Sequence, residues 1–264
     1  MTYLQAFLLG ALQGFTEFIP ISSSGHLKLL QHLFGLQEVP LLFDVSLHIA
    51  TLIVVVLVFR KKISRLLLNS VKIIKKQTFP EKEETLNLLK ALLISTFCTG
   101  VLGIIFKSIV EEASPKWVSA SLLLTAILLV LGGNKQGKRT YVELTLKDSI
   151  IIGISQGFGV LPGISRSGIT ITTGLLLGFD RKLAGEYSFL LFLPAAFGAL
   201  LLTLKDASAL VNQIPVGVLL SGCISAFLFG LGSLGVLLRI LRGGNLGWFA
   251  WYLIPVGLGG LLFL

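Results

Sequence analysis

Two polar clusters interrupt an otherwise apolar chain, and their residue types suit the handling of a phosphate. In the first, Gln13 and Glu17 lie four apart, on one face of a helix, and the run Pro20-Ile-Ser-Ser-Ser-Gly-His26 follows. In the second, Gln156 precedes Pro162-Gly-Ile-Ser-Arg-Ser-Gly168, with Thr170 just beyond. A carboxylate among apolar residues is costly unless it meets a cation, water or a partner, so Glu17 is a functional candidate. His26 beside it is a candidate general acid or base. Arg166 presents a five-donor fork that grips phosphoryl oxygens in pairs. Ser22, Ser23 or Ser24 can cap the helix that follows, the second cluster also opens a helix, and a helix N-terminus is itself an anion site. A plain buried ion pair between Glu17 and Arg166 is the competing reading; it leaves the hydroxyls and the imidazole without a purpose.

The two clusters are copies of one element. GALQGFTEFIPISSSG (Gly10 to Gly25) aligns without a gap with GISQGFGVLPGISRSG (Gly153 to Gly168), 143 positions later, and eight of the sixteen positions are identical. Where one copy has Glu17 and Ser23, the other has Val160 and Arg166. The copies have acquired complementary charge.

The elements that must position them belong to a membrane protein. Hydrophobic residues make up 54% of the 264, only 13% are charged, and mean hydropathy is +0.89, beyond the range of a soluble domain. Met1 to Phe7 has no basic segment and no cleavage site after it, so no removable signal peptide is expected. Six stretches match the roughly 20 apolar residues a span requires, at about 42–59, 87–106, 117–133, 184–203, 216–238 and 245–264. Sixteen of the 22 Lys and Arg residues fall in four groups: Arg60 to Lys82, Lys135 to Lys147, Arg181/Lys182 and Arg239/Arg242. The net charge of +9 is then explained by the positive-inside rule rather than by nucleic acid, which is not an expected partner. All four groups fit the cytoplasmic side without conflict, and both termini come out external.

The clusters themselves are too broken to span. Helix-breaking backbone at membrane depth is tolerated only where protein or a cavity surrounds it, so 3–36 and 148–180 read as re-entrant helical hairpins, the first from outside and the second from the cytoplasm. The fold class expected is an all-α polytopic membrane protein of six transmembrane helices plus two re-entrant hairpins. It forms one integral-membrane domain, with inverted-topology repeats over about 1–133 and 148–264 and a site near the midplane. The basic, amphipathic segment from Arg60 to Glu84 is read as a cytoplasmic connection, either a helix lying on anionic lipid or a plain solvated charge run. Asp44 and His48, one turn apart, could line the outer approach. Glu186 is expected to pair with Arg181/Lys182 at the interface. Cys98 and Cys223 have no metal-ligand pattern and read as packing residues.

At this point the residues resemble the bacterial undecaprenyl-diphosphate phosphatases linked to bacitracin resistance. Gln13, Glu17, Pro20, Ser22, Ser23, Gly25 and His26 match that family's first motif; Pro162, Gly163, Ser165, Arg166, Ser167, Gly168 and Thr170 match its second. Two positions depart: Gln13 stands where some members have Glu, and Asp44 where Glu is common. The resemblance implies hydrolysis of the C55 isoprenoid diphosphate to monophosphate and inorganic phosphate in the bacterial inner membrane, recycling the carrier for cell-wall synthesis. Ser23 is then the favoured nucleophile, against a water activated by Glu17 or His26. His26 is base or acid, Arg166 stabilises developing charge, and Glu17 either orients His26 or holds a divalent cation, Mg or Ca. Gln13, Ser22, Ser24, Gln156, Ser165, Ser167 and Thr170 are the expected substrate-binding residues. A transporter or lipid flippase using the same midplane site is the alternative, and the sequence leaves room for a homodimer.

Overall fold

The computed structural model describes residues 1–35, 39, 41–207 and 214–264, and for 202–207 the backbone alone. Eleven α-helices follow in order: α1 (Tyr3–Phe18), α2 (Ser23–Leu33), α3 (Leu41–Ile74), α4 (Lys82–Ile105), α5 (Lys107–Glu112), α6 (Pro115–Gly132), α7 (Leu146–Phe158), α8 (Arg166–Leu176), α9 (Arg181–Ala207), α10 (Val216–Leu241) and α11 (Trp248–Phe263). Among the described residues there is no strand, only an isolated bridge between Arg139 and Phe179.

Among the described residues six helices are long and apolar enough to cross a membrane, and they coincide with the six expected stretches: α3, α4, α6, α9, α10 and the helix over Leu246–Phe263. Of the two readings of the basic run after the first span, the structure shows a helix: α3 continues unbroken through Arg60, Lys62 and Arg65 to Ile74, 34 residues in all, and the non-helical connection is only the stretch 75–81 before α4. At about 1.5 Å per residue such a helix measures roughly 51 Å, against a hydrocarbon layer of about 30 Å. Its overhang packs on the start of α4, where Asn69 donates to Thr85 Oγ1 at 3.2 Å. The external link between α9 and α10, expected over 205–215, lies largely outside the described residues.

The first cluster breaks because of Pro20. The residue before a proline is pushed out of the helical region, and Ile19 takes φ −61°, ψ 135°, which ends α1. Ser22 then restarts the chain as the cap of α2, its Oγ accepting from Gly25 N at 3.3 Å. In the second cluster Ser165 does the same for α8, accepting from Gly168 N at 3.0 Å. The two turns reverse by different means: Gly163 takes φ +94° in one, whereas Ser22 takes φ +72° in the other. The left-handed region is uncommon for a serine, so that turn holds strain at a residue of the site.

Packing explains the glycines shared by both copies. Helix α1 lies along α10, and α7 lies along α4. A Cβ on Gly10 would strike Gly222 and Ser225, and one on Gly14 would strike Ala226 and Gly230; on Gly153 it would strike Ser95 and Cys98, and on Gly157 Leu102. These are small-residue seams that let backbones approach inside a bilayer. Hydroxyls stitch them: Ser233 donates to Gly14 O at 2.7 Å and Ser225 to Phe7 O at 3.0 Å, while Ser95 donates to Ser149 O at 2.6 Å and Thr99 to Gly153 O at 3.1 Å. The third large contact joins α6 to α11.

At the end of the molecule that carries the basic groups, Arg181 is buried and donates to Gly133, Lys135, Leu241 and Gly244 carbonyls, gathering the C-terminal ends of α6 and α10. It therefore does not pair with Glu186. That carboxylate meets Lys62 at 3.5 Å and Lys182 at 3.9 Å instead.

The α1/α10 seam makes a prediction. Gly14→Val forces a side chain into two backbones, so the variant is expected to lose about 1–3 kcal/mol or more and to run as aggregate in detergent size-exclusion chromatography. Gly232→Ala, where nothing lies within 4 Å, should elute and melt like the wild type.

Candidate active site

The two broken turns meet tip to tip. A Cβ on Gly25 would come within 2.9 Å of Gly163 Cα, and one on Gly168 within 3.3 Å of Pro20 Cβ. Only turns without bulk at these positions can approach so closely, and the approach brings the N-terminal ends of α2 and α8 together. The first residues of those helices are Ser23 and Arg166. They occupy the same position of the repeated motif.

Glu17, in the last turn of α1, lies between them and is almost fully buried. Its Oε1 pairs with Nη2 of Arg166, and its Oε2 accepts from Ser23 Oγ and, at 3.1 Å, from Gln13 Nε2. The guanidinium also lies 3.8 Å from the centre of the Phe192 ring, a cation–π contact that covers its second face. Glu17, Phe18, Arg166, Ser167, Ser188, Phe189 and Phe192 line a notch with room for about one water. The ion pair thus fills the place a ligand would take.

His26 is buried close by but is held by other partners than Glu17. Its Nδ1 lies 2.8 Å from Ser22 O, and its Nε2 2.9 Å from the hydroxyl of Tyr252 on α11. The orienting role considered for Glu17 falls to these two groups. His48, on α3, has its Nδ1 2.9 Å from Asp44 O.

The remaining expected residues divide. Ser22 and Ser165 are committed as helix caps, and Ser24 and Ser167 lie 3.4 and 3.3 Å from those caps. Ser167 also donates to Phe18 O at 3.1 Å and lines the notch. Thr170 faces the scaffold, bonded to Arg166 O at 2.7 Å and to Ser188 Oγ at 2.5 Å. Gln156 is turned to α4, donating to Thr99 Oγ1 at 3.2 Å. Phe192, Ser188 and Tyr252 join the site although nothing in their local sequence marks them. Each sits in an ordinary apolar run and becomes visible only when helices are placed side by side.

For a divalent cation the donor set is thin. Among the described residues no group of three His, Cys, Asp or Glu side chains comes together. Beside Glu17 there is one hard oxygen without a partner, the buried Oε1 of Gln13. One carboxylate and one amide oxygen suit an ion that keeps its own waters and is held largely by substrate phosphates. They do not suit an ion caged by protein alone.

Breaking a buried pair strands a charge, at a cost of about 3–5 kcal/mol. Glu17→Ala and Arg166→Ala are each expected to destabilise the protein by that order, and the double replacement by less than either, in thermal scans of purified protein. Additive losses would mean that the two side chains do not depend on each other.

The sequence was also compared with known proteins. The family model described as "Bacitracin resistance protein BacA" matches residues 6–259. A protein of Treponema denticola named undecaprenyl-diphosphatase is 41% identical over 259 residues, covering 98% of this chain and 96% of its own. One of Methanosphaera stadtmanae with the same name is 39% identical over 268 residues, covering 97% and 95%. A Bacillus anthracis protein, undecaprenyl-diphosphatase 3, is 38% identical over 264 residues, covering 99% and 97%. With nearly its whole length matched and both broken turns built as one site, the chain belongs to the BacA bacitracin resistance family.

Proposed function

We propose that this chain hydrolyses undecaprenyl diphosphate to undecaprenyl phosphate and inorganic phosphate, recycling the carrier for cell-wall synthesis and conferring resistance to bacitracin. The observation that carries the reading is the placement of Ser23 Oγ on Glu17, with Arg166 on the other carboxylate oxygen. Nucleophile, base and anion clamp are in one cluster, at breaks between helices where a lipid diphosphate can leave its tail in the bilayer. The relatives' names support a hydrolase and give a flippase no comparable support.

The ion pair sets the sequence of events. A diphosphate brings oxygens that draw Arg166 away from Glu17, and the N-terminal N–H groups of α2 and α8 add to the anion site. With Arg166 turned to the diphosphate, Oε2 of Glu17, to which Ser23 Oγ already donates, serves as the base and Oε1 is left for another partner. Ser23 Oγ attacks the terminal phosphorus and its proton passes to Glu17 Oε2. The bond from that phosphorus to the bridging oxygen breaks, and the lipid monophosphate leaves with the bridging oxygen. Water then attacks the phosphoserine and gives its proton to His26 Nε2; the bond from phosphorus to Ser23 Oγ breaks as Glu17 Oε2 returns its proton to that oxygen, inorganic phosphate departs, and His26 releases its proton to solvent. Arg166 faces the charge that develops on the transferred group. Gln13 Oε1 and Glu17 would hold a divalent cation, Mg or Ca, which supplies positive charge to the diphosphate when bound.

The architecture proposed around this chemistry is an inverted repeat with two re-entrant hairpins. Helices of 16 and 11 residues in the first hairpin and 13 and 11 in the second are each too short for a span of about 20. Packing of α1 on α10 and of α7 on α4 is reciprocal, each hairpin lying on a span of the other half, and the Gly25–Gly163 and Gly168–Pro20 approaches exchange equivalent positions. These relations support halves over about 1–133 and 148–264 in one membrane domain; the inner membrane and external termini are proposed from the distribution of Lys and Arg. Every group of the site comes from one chain, so a homodimer is not needed to complete it.

Purified protein in detergent should release phosphate from C55 diphosphate, and Glu17→Ala, His26→Ala and Arg166→Ala should each lose about 10²–10³-fold. Lipid movement across vesicles with no phosphate release would overturn the assignment. Ser23→Ala should lose at least as much, and acid quenching of the wild type should trap phosphoserine at Ser23; full activity in Ser23→Ala would give the attack to water. Chelation with EDTA should stop turnover and Mg or Ca restore it. For topology, in a Cys98→Ser/Cys223→Ser background, Leu264→Cys should react with an impermeant maleimide on intact cells and Lys138→Cys only after permeabilisation.

A further inference from the structure

His26 has two ring nitrogens, and the structure fixes what each is doing. A carbonyl only accepts, so the 2.8 Å contact between Nδ1 and Ser22 O requires the proton on Nδ1. In the neutral ring Nε2 then carries the lone pair, and it is Nε2 that must accept a proton from water. What stands on Nε2 is the hydroxyl of Tyr252, 2.9 Å away and 226 positions along the chain. The same side chain makes a second contact, its ring lying 13° from the plane of the imidazole with centroids 5.5 Å apart.

Tyr252 is not where it is for the packing of α11. That helix meets α6 through Leu253, which is fully buried, and through Gly257 and Gly260 against Ser119. Trp248 and Trp251 point outward, 73% and 81% exposed, and Tyr252, 46% exposed, leans from the neighbouring face of the helix onto α2. A tyrosine hydroxyl among apolar neighbours usually finds a hydrogen-bond partner, and Phe or Leu would cover the surface as well.

We infer that Tyr252 is a positioning residue for His26 in the hydrolysis proposed above, on which this inference rests: it holds the imidazole in the Nδ1–H form with Nε2 free of a proton. A hydroxyl suits this task better than a carboxylate or an amine. It donates to Nε2 in the resting neutral ring, turns aside to yield that lone pair to the water being deprotonated, and accepts from Nε2–H once the proton has been taken. The hydroxyl thus holds the ring in both protonation states, and Tyr252 rather than His26 moves between them.

The test has an arm that does not use activity. Protein labelled with 15N-histidine contains three imidazoles, and His26→Gln identifies one of them. That ring should show the Nδ1–H tautomer in the wild type, with its Nε2 resonance shifted in Tyr252→Phe; an Nε2–H tautomer, or a resonance that Tyr252→Phe leaves in place, overturns the inference. In turnover, Tyr252→Phe should lower kcat about tenfold, the size of one net hydrogen bond, with KM unchanged. In the His26→Ala background the same replacement should cost nothing further. Additive losses, or unchanged kcat in Tyr252→Phe, would place Tyr252 outside the work of His26. Absence of phosphate release from the wild type would instead sink the hydrolase reading, while the tautomer arm still reads the contact.

Discussion

The structure depends on one buried ion pair. Glu17 and Arg166 belong to different copies of the same motif, and neither could be left alone at this depth without a large cost. Their attraction acts between the tips of two turns that have no other charge to share, so it holds in register the helix ends beside it: Ser23 at the start of α2 and the N–H groups that open α8. An ion pair in such surroundings contributes little net stability once desolvation is counted. Its worth lies in arrangement, because the groups that would meet a substrate are the same groups that meet each other in its absence.

A pair of this kind needs a frame that does not yield. The glycines at 10, 14, 153 and 157 let α1 lie directly against α10 and α7 against α4, and hydroxyls of Ser95, Thr99, Ser225 and Ser233 close the seams with bonds to backbone carbonyls. At the basic end Arg181 draws two helix ends together through four carbonyls. Thr125 on α6 reaches into the second turn, accepting from Ser165 N at 3.1 Å and donating to Gly163 O at 2.9 Å. The turns carry strain at Ser22 and no bulk at Gly25, Gly163 or Gly168, features that a loosely packed scaffold would relax away.

Much of this was legible in the residues themselves. Glu17, Ser23, His26 and Arg166 stood out because polar groups in apolar runs are costly and because an internal repeat aligned Ser23 with Arg166. Six spans were legible because length and hydropathy fix them independently of packing. Three kinds of feature were not. Tyr252 and Phe192 are chemically ordinary in their runs and gain meaning only from neighbours 226 and 26 positions away in sequence. The division of the serines into caps and site residues turns on which hydroxyl faces the backbone, which composition does not reveal. The overhang of α3 was hidden because a basic segment after a span reads equally as solvated loop or as solvated helix, and local propensity had to decide between them.

The notch beside Arg166 admits about one water, and its occupant is the protein's own carboxylate. Glu17 is in this sense a tethered competitor. Any anion that would take the guanidinium must offer more charge than a carboxylate already in place at very high effective concentration, which sets a threshold rather than a simple affinity. On the mechanism proposed above, a diphosphate, with oxygens on two phosphorus atoms, would clear that threshold, and a monophosphate, with fewer, would be outbid by the resident side chain. The pair that closes the notch would then also clear it, returning the lipid monophosphate to the bilayer once the second phosphate is gone.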